Sequence, residues 1–75
     1  MMKEKNSELI ELGLKVKECR KRLKLSQEKL ALDCGFDRTY ISLIERGLRN
    51  LSFLNLLKLS KCLEITVSEL TKDFK

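Results

Sequence analysis

The sequence predicts an all-α fold, a compact five-helix bundle. Proline is absent from the 75 residues. No stretch alternates apolar and polar side chains with the β-branched and aromatic content that a strand favours. Apolar residues recur instead at three- and four-residue steps, in segments set off by capping residues.

The first helix is expected over residues 7–23, where Leu9, Leu12, Val16, Cys19 and Leu23 share one face. Gly13 falls off that face and costs about 1 kcal/mol relative to alanine. Ser26 then offers a hydroxyl to an orphaned backbone N–H and starts a second helix over 27–34. Leu30, Ala31 and Cys34 follow at helical spacing, and Gly35 supplies the left-handed conformation that ends it. Phe36 is expected to plug the gap before the next helix. Asp37 caps a third helix over 38–46, with Ile41 and Ile44 inward, Arg46 in its last turn and Gly47 as its stop. Ser52 caps a fourth over 53–63, whose apolar positions are Phe53, Leu56, Leu57, Leu59 and Leu63. Thr66 and Glu69 form a T-x-x-E capping box for a short fifth helix ending near Lys72, with Val67 and Leu70 inward. No repeat or linker interrupts the chain, which reads as a single domain over 1–75.

Two short helices joined by a tight glycine turn, residues 26–47, form a helix-turn-helix, the motif that sets its second helix in the DNA major groove. With Ile41 and Ile44 inward, a 100° step per residue turns Thr39, Ser42, Leu43 and Arg46 outward. Arg38 and Tyr40 flank that face in the first turn. Arg38 can fork onto the O6 and N7 of a guanine, while Thr39, Tyr40 and Ser42 complete a candidate base-reading set. Gln27 sits in the first turn of the second helix, whose free N–H groups attract an anion such as phosphate.

Charge agrees with a polyanionic partner. Sixteen Lys and Arg against eleven Asp and Glu give a formal net charge of +5. Lys15, Lys17, Arg20, Lys21, Arg22 and Lys24 crowd the first helix, and Arg38, Arg46 and Arg49 lie on or just past the third. A membrane surface is the rival anion, but the first helix lacks aromatic anchors and uses its apolar face for a core. No apolar run approaches the ~20 residues of a membrane span, and no secretory signal is visible. A cytoplasmic protein is expected.

Cys19, Cys34 and Cys62 are odd in number, so they cannot form a closed disulfide set within one chain. Histidine is absent and no cysteine pair has metal-ligand spacing, so no metal and no cofactor is expected. Each cysteine lies on an apolar helix face and is read as a small core residue. With no glycine-rich phosphate loop and no nucleophile–base pair, nothing here performs acid, base or covalent chemistry. The chain is not read as an enzyme, and no small-molecule ligand is expected.

The segments SQEKLA and DRTYISLIERG, flanking the glycine turn, resemble the phage-repressor (XRE) helix-turn-helix family, which is lambda-repressor-like in fold. DRTYIS followed by ERGLRN is most similar to controller proteins of restriction–modification systems. The resemblance spans about residues 12 to 70. It implies that Gln27 contacts a phosphate and that Arg46, Arg49, Asn50 and Ser52 form a second phosphate clamp. It also implies an ion pair between Glu45 and Arg20. Two departures stand out: Glu64 occupies a place where glycine often ends the fourth helix, and Leu51 replaces a frequent proline.

Seventy-five residues are near the lower limit for a chain folding on one core, a shortage that pairing would relieve. Leu54 stands where the family commonly carries a polar residue. Together with Leu63, Val67, Leu70 and Phe74 it is a candidate dimer interface. The expectation is a homodimeric regulator of transcription on a pseudo-palindromic operator, as in the controller proteins. A phage Cro- or repressor-type regulator, an antitoxin, or a module holding an acidic protein partner are the alternatives.

Overall fold

The computed structural model describes residues 6–72, and these form five helices. They are α1 (Ser7–Arg22), α2 (Gln27–Cys34), α3 (Arg38–Glu45), α4 (Phe53–Cys62) and α5 (Val67–Leu70). Phe74 lies outside the described residues. Helix α3 packs against both α1 and α2, α4 covers α2, and α5 bridges α4 back to α1. Among the described residues no helix is long and apolar enough to cross a membrane.

The core gathers Leu12, Val16 and Cys19 from α1, Leu30, Ala31 and Cys34 from α2, and Ile41 and Ile44 from α3. Leu59, Leu63 and Leu70 close it from the other side. Fully burying one such Leu or Ile contributes about 1.5–3 kcal/mol. Burial corrects the expected interface in two places. Leu63 and Leu70 are only 2% and 1% exposed, because α5 folds back and seals both into the core of their own chain. Phe53, the first apolar position of the fourth helix, is 66% exposed at the start of α4, and its neighbour Leu54 is 71% exposed.

Helix starts follow their capping residues. Ser26 Oγ accepts from the Lys29 N–H at 2.9 Å, and Ser52 Oγ from the Asn55 N–H at 3.1 Å. Asn6 caps α1 by accepting from Leu9, and the Thr66–Glu69 capping box is complete. Asp37 is the exception: it holds the N-cap position of α3, but its carboxylate makes no capping bond. Helix α3 ends at Glu45, one residue earlier than expected, and α5 is only four residues long.

The first four helices all end in one way. A residue of positive φ follows each last turn: Lys24 (61°), Gly35 (76°), Gly47 (75°) and Glu64 (61°). The next N–H reaches back to a carbonyl five residues earlier, Leu25 to Arg20, Phe36 to Ala31, Leu48 to Leu43 and Ile65 to Ser60. Glu64 does carry the left-handed backbone that a glycine would adopt without strain. A non-glycine residue there costs about 1–2 kcal/mol, offset by the two orphan carbonyls it satisfies.

Gly13 is not idle surface. It is buried, and a Cβ on it would collide with the Ile44 carbonyl oxygen and lie 2.7 Å from that of Glu45. The missing side chain lets the backbone of α1 touch the last turn of α3, which fixes the recognition helix against the scaffold. Apolar periodicity cannot reveal this, since glycine adds nothing to either face.

Candidate nucleic-acid interface

Helix α3 presents Arg38 and Thr39 to solvent in its first turn. Neither side chain bonds to another described residue, so both are free to meet a partner. Ser42, one turn on, is half-buried, and Arg46, Arg49 and Asn50 are exposed beyond it. The hydroxyl of Ser52 accepts a backbone N–H as a helix cap, and its own proton remains available for a phosphate oxygen.

Tyr40 is held from three sides. Its ring stands edge-on to Phe36, centroids 4.9 Å apart at 67°, and the Arg49 guanidinium lies 5.2 Å from its centroid. Asn55 Nδ2 donates to its hydroxyl at 3.0 Å. Arg49 is therefore tied to the recognition helix through Tyr40 as well as sitting beside the expected phosphate path. Phe36 fills the turn as expected, with the Lys58 ammonium 5.2 Å from its ring centroid.

Behind α3 lies a buried polar knot. Arg20 Nε donates to Glu45 Oε2 at 2.6 Å and Arg20 Nη2 to Glu45 Oε1 at 3.0 Å, with side chains only 10% and 3% exposed. Arg20 Nη1 donates to the Leu25 carbonyl at 2.8 Å. This takes Arg20 out of the cationic surface to which its sequence neighbours belong. Gln27 Nε2 donates to the same Glu45 Oε1 at 3.0 Å. An amide nitrogen has two protons, so the second can still meet a phosphate while Glu45 fixes the group. The Gln27–Glu45 and Asn55–Tyr40 bonds span 18 and 15 residues, and no local spacing signals either.

The cysteines are all free; Cys19 and Cys34 are buried and Cys62 half-buried. Burial pushes the Cys34 thiol well above its ordinary range, and the adjoining Cys62 thiol adds to the shift. Such a thiol is a poor nucleophile. No group of three metal-ligating side chains occurs among the described residues.

A family described as "Helix-turn-helix" matches residues 16–70. The chain belongs to this helix-turn-helix family. It is 49% identical over 67 residues to control protein C.MunI from Mycoplasma sp, covering 88% of this chain and 90% of that relative. It is also 49% identical over 59 residues to control protein C.BamHI from Bacillus amyloliquefaciens, covering 77% and 73% of the two chains. Among solved structures it is similar to the restriction–modification controller protein C.AhdI from Aeromonas hydrophila. That match has a TM-score of 0.83 and 43% identity, and covers 87% of this chain and 98% of the other. The XRE-type resemblance and the all-helical fold thus stand, and the chain is a DNA-binding regulator rather than an enzyme.

Proposed function

We propose that this chain is the controller protein of a restriction–modification system, reading a pseudo-palindromic operator as a homodimer. The observation that carries the reading is the pair Arg38 and Thr39, solvent-facing and uncommitted in the first turn of a helix whose other face is locked into the core. Arg38 reads a guanine; Thr39 and Ser42 contact neighbouring bases; Tyr40 stands at the groove edge. Gln27 at one flank, and Arg46, Arg49, Asn50 and Ser52 at the other, hold the sugar–phosphate backbone and fix register. Two copies of α3 then meet two half-sites about 34 Å apart.

Support for pairing comes from Phe53 and Leu54, adjacent and exposed, with half-buried Leu57 one turn on and half-buried Val67 at the start of α5. The partners are double-stranded DNA and a second copy, with dimer concentration as the control variable.

Titration of operator variants tests the readout. Arg38→Ala is expected to cost about 1–3 kcal/mol on the cognate site and to flatten preference at one position per half-site. Unchanged discrimination at every position would remove Arg38 from the base-reading set.

A further inference from the structure

We propose that Asn55 is a positioning residue that aims the phenolic proton of Tyr40 at an acceptor on the DNA. The inference rests on the DNA-binding reading of α3. Tyr40 has little freedom left: Phe36 meets its ring edge-on and Arg49 lies across its face, so only rotation of the O–H bond remains. A phenolic O–H prefers the plane of its ring and has two orientations there. Asn55 Nδ2 approaches the oxygen at 3.0 Å as a donor and occupies an acceptor position. The hydroxyl proton must then point away from Asn55, so Tyr40 meets its partner as a donor.

Asn55 is itself well fixed. It is the third residue of α4, its backbone N–H is held by Ser52 Oγ at 3.1 Å, and its side chain is half-buried. A side chain from α4, which enters no groove, thereby sets the hydrogen-bonding polarity of a side chain on α3. DNA offers acceptors on phosphates and on base edges in the major groove. A donor matches either one.

Tyr40→Phe, Asn55→Leu, Asn55→Asp and the two corresponding double variants are titrated against the operator and single-base operator variants. Thermal unfolding confirms that each is folded; an acidic residue in the first turn of α4 is compatible with the helix dipole. Asn55→Leu is expected to weaken binding about two- to tenfold in the presence of Tyr40, the range of one hydrogen bond, and to have no effect beside Tyr40→Phe. Asn55→Asp can only accept, so it turns the Tyr40 proton inward. Its loss should be larger with Tyr40 than with Tyr40→Phe, where only repulsion from phosphate remains.

An equal loss from the Asn55 changes in both backgrounds means a merely structural role and overturns the proposal. So does an Asn55→Asp protein that loses no more with Tyr40 than without it, because Asn55 would then be acting as an acceptor. Within the supporting outcome, a loss uniform across operator variants assigns the acceptor to phosphate, and one confined to a single position assigns it to a base. Wild-type protein that binds no duplex overturns the DNA reading and this inference together. If wild type binds and Tyr40→Phe binds equally well, only the inference falls.

Discussion

Glu45 joins three parts of the chain through one carboxylate, accepting twice from Arg20 on α1 and once from Gln27 on α2. Near DNA such a charge would repel phosphate, yet here it is buried and neutralised by the guanidinium. A buried pair of this kind adds little net stability, but removing one partner leaves an uncompensated charge. Glu45→Gln keeps the shape and deletes the charge, and is expected to destabilise the fold by about 3–5 kcal/mol in urea unfolding. A loss below about 1 kcal/mol would mean that Arg20 is not effectively buried. The Arg20–Glu45 pairing was legible only through family resemblance, since 25 residues separate its members. The third member carried no signal at all. A glutamine beginning a helix looks the same whether it faces solvent or another helix.

At the scale of the element, starts and stops were the legible part. Serine, threonine and glycine act on their own neighbours, so Ser26, Ser52, Thr66, Gly35 and Gly47 mark their helix ends without help from tertiary structure. Lys24 carried no such mark, although the end of α1 has the same left-handed geometry as the other three. Two of the stops look alike in sequence and differ in space. A Cβ at Gly35 would meet nothing within 4 Å, whereas one at Gly47 would lie 2.8 Å from Ile10 Cγ1 and 2.9 Å from Ile10 Cα. Gly35→Ala should therefore cost only the left-handed penalty of about 1–2 kcal/mol. Gly47→Ala should cost distinctly more, because backbone of α1 cannot yield as a flexible side-chain tip would. Parallel denaturation curves check this, and equal losses would refute the close approach at Gly47. Gly13 makes the same point inside a helix: its value lies in the backbone it admits.

For the whole molecule, helical periodicity identified the apolar faces but not which would be sealed. Leu63 and Leu70 stood among the interface candidates because the return of α5 over α4 and α1 decides their burial, and that is a tertiary event. What remains exposed sharpens the expectation for assembly. Leu54→Lys sets like charges across the proposed two-fold axis, at a site with no role in the monomer core. It should shift sedimentation toward monomer and weaken operator binding while leaving the circular dichroism of the fold intact. A variant that stays dimeric and binds normally would move the interface elsewhere, with α1 the next surface to consider. The grip on α3 has a further consequence. Its inner face is held by Ile41, Ile44, Glu45 and the carbonyls that Gly13 admits, whereas Arg38 and Thr39 support nothing behind them. On the proposed reading, folding and sequence preference are therefore written on opposite sides of one eight-residue helix, so exchanging outer side chains would retune the operator without renegotiating the scaffold.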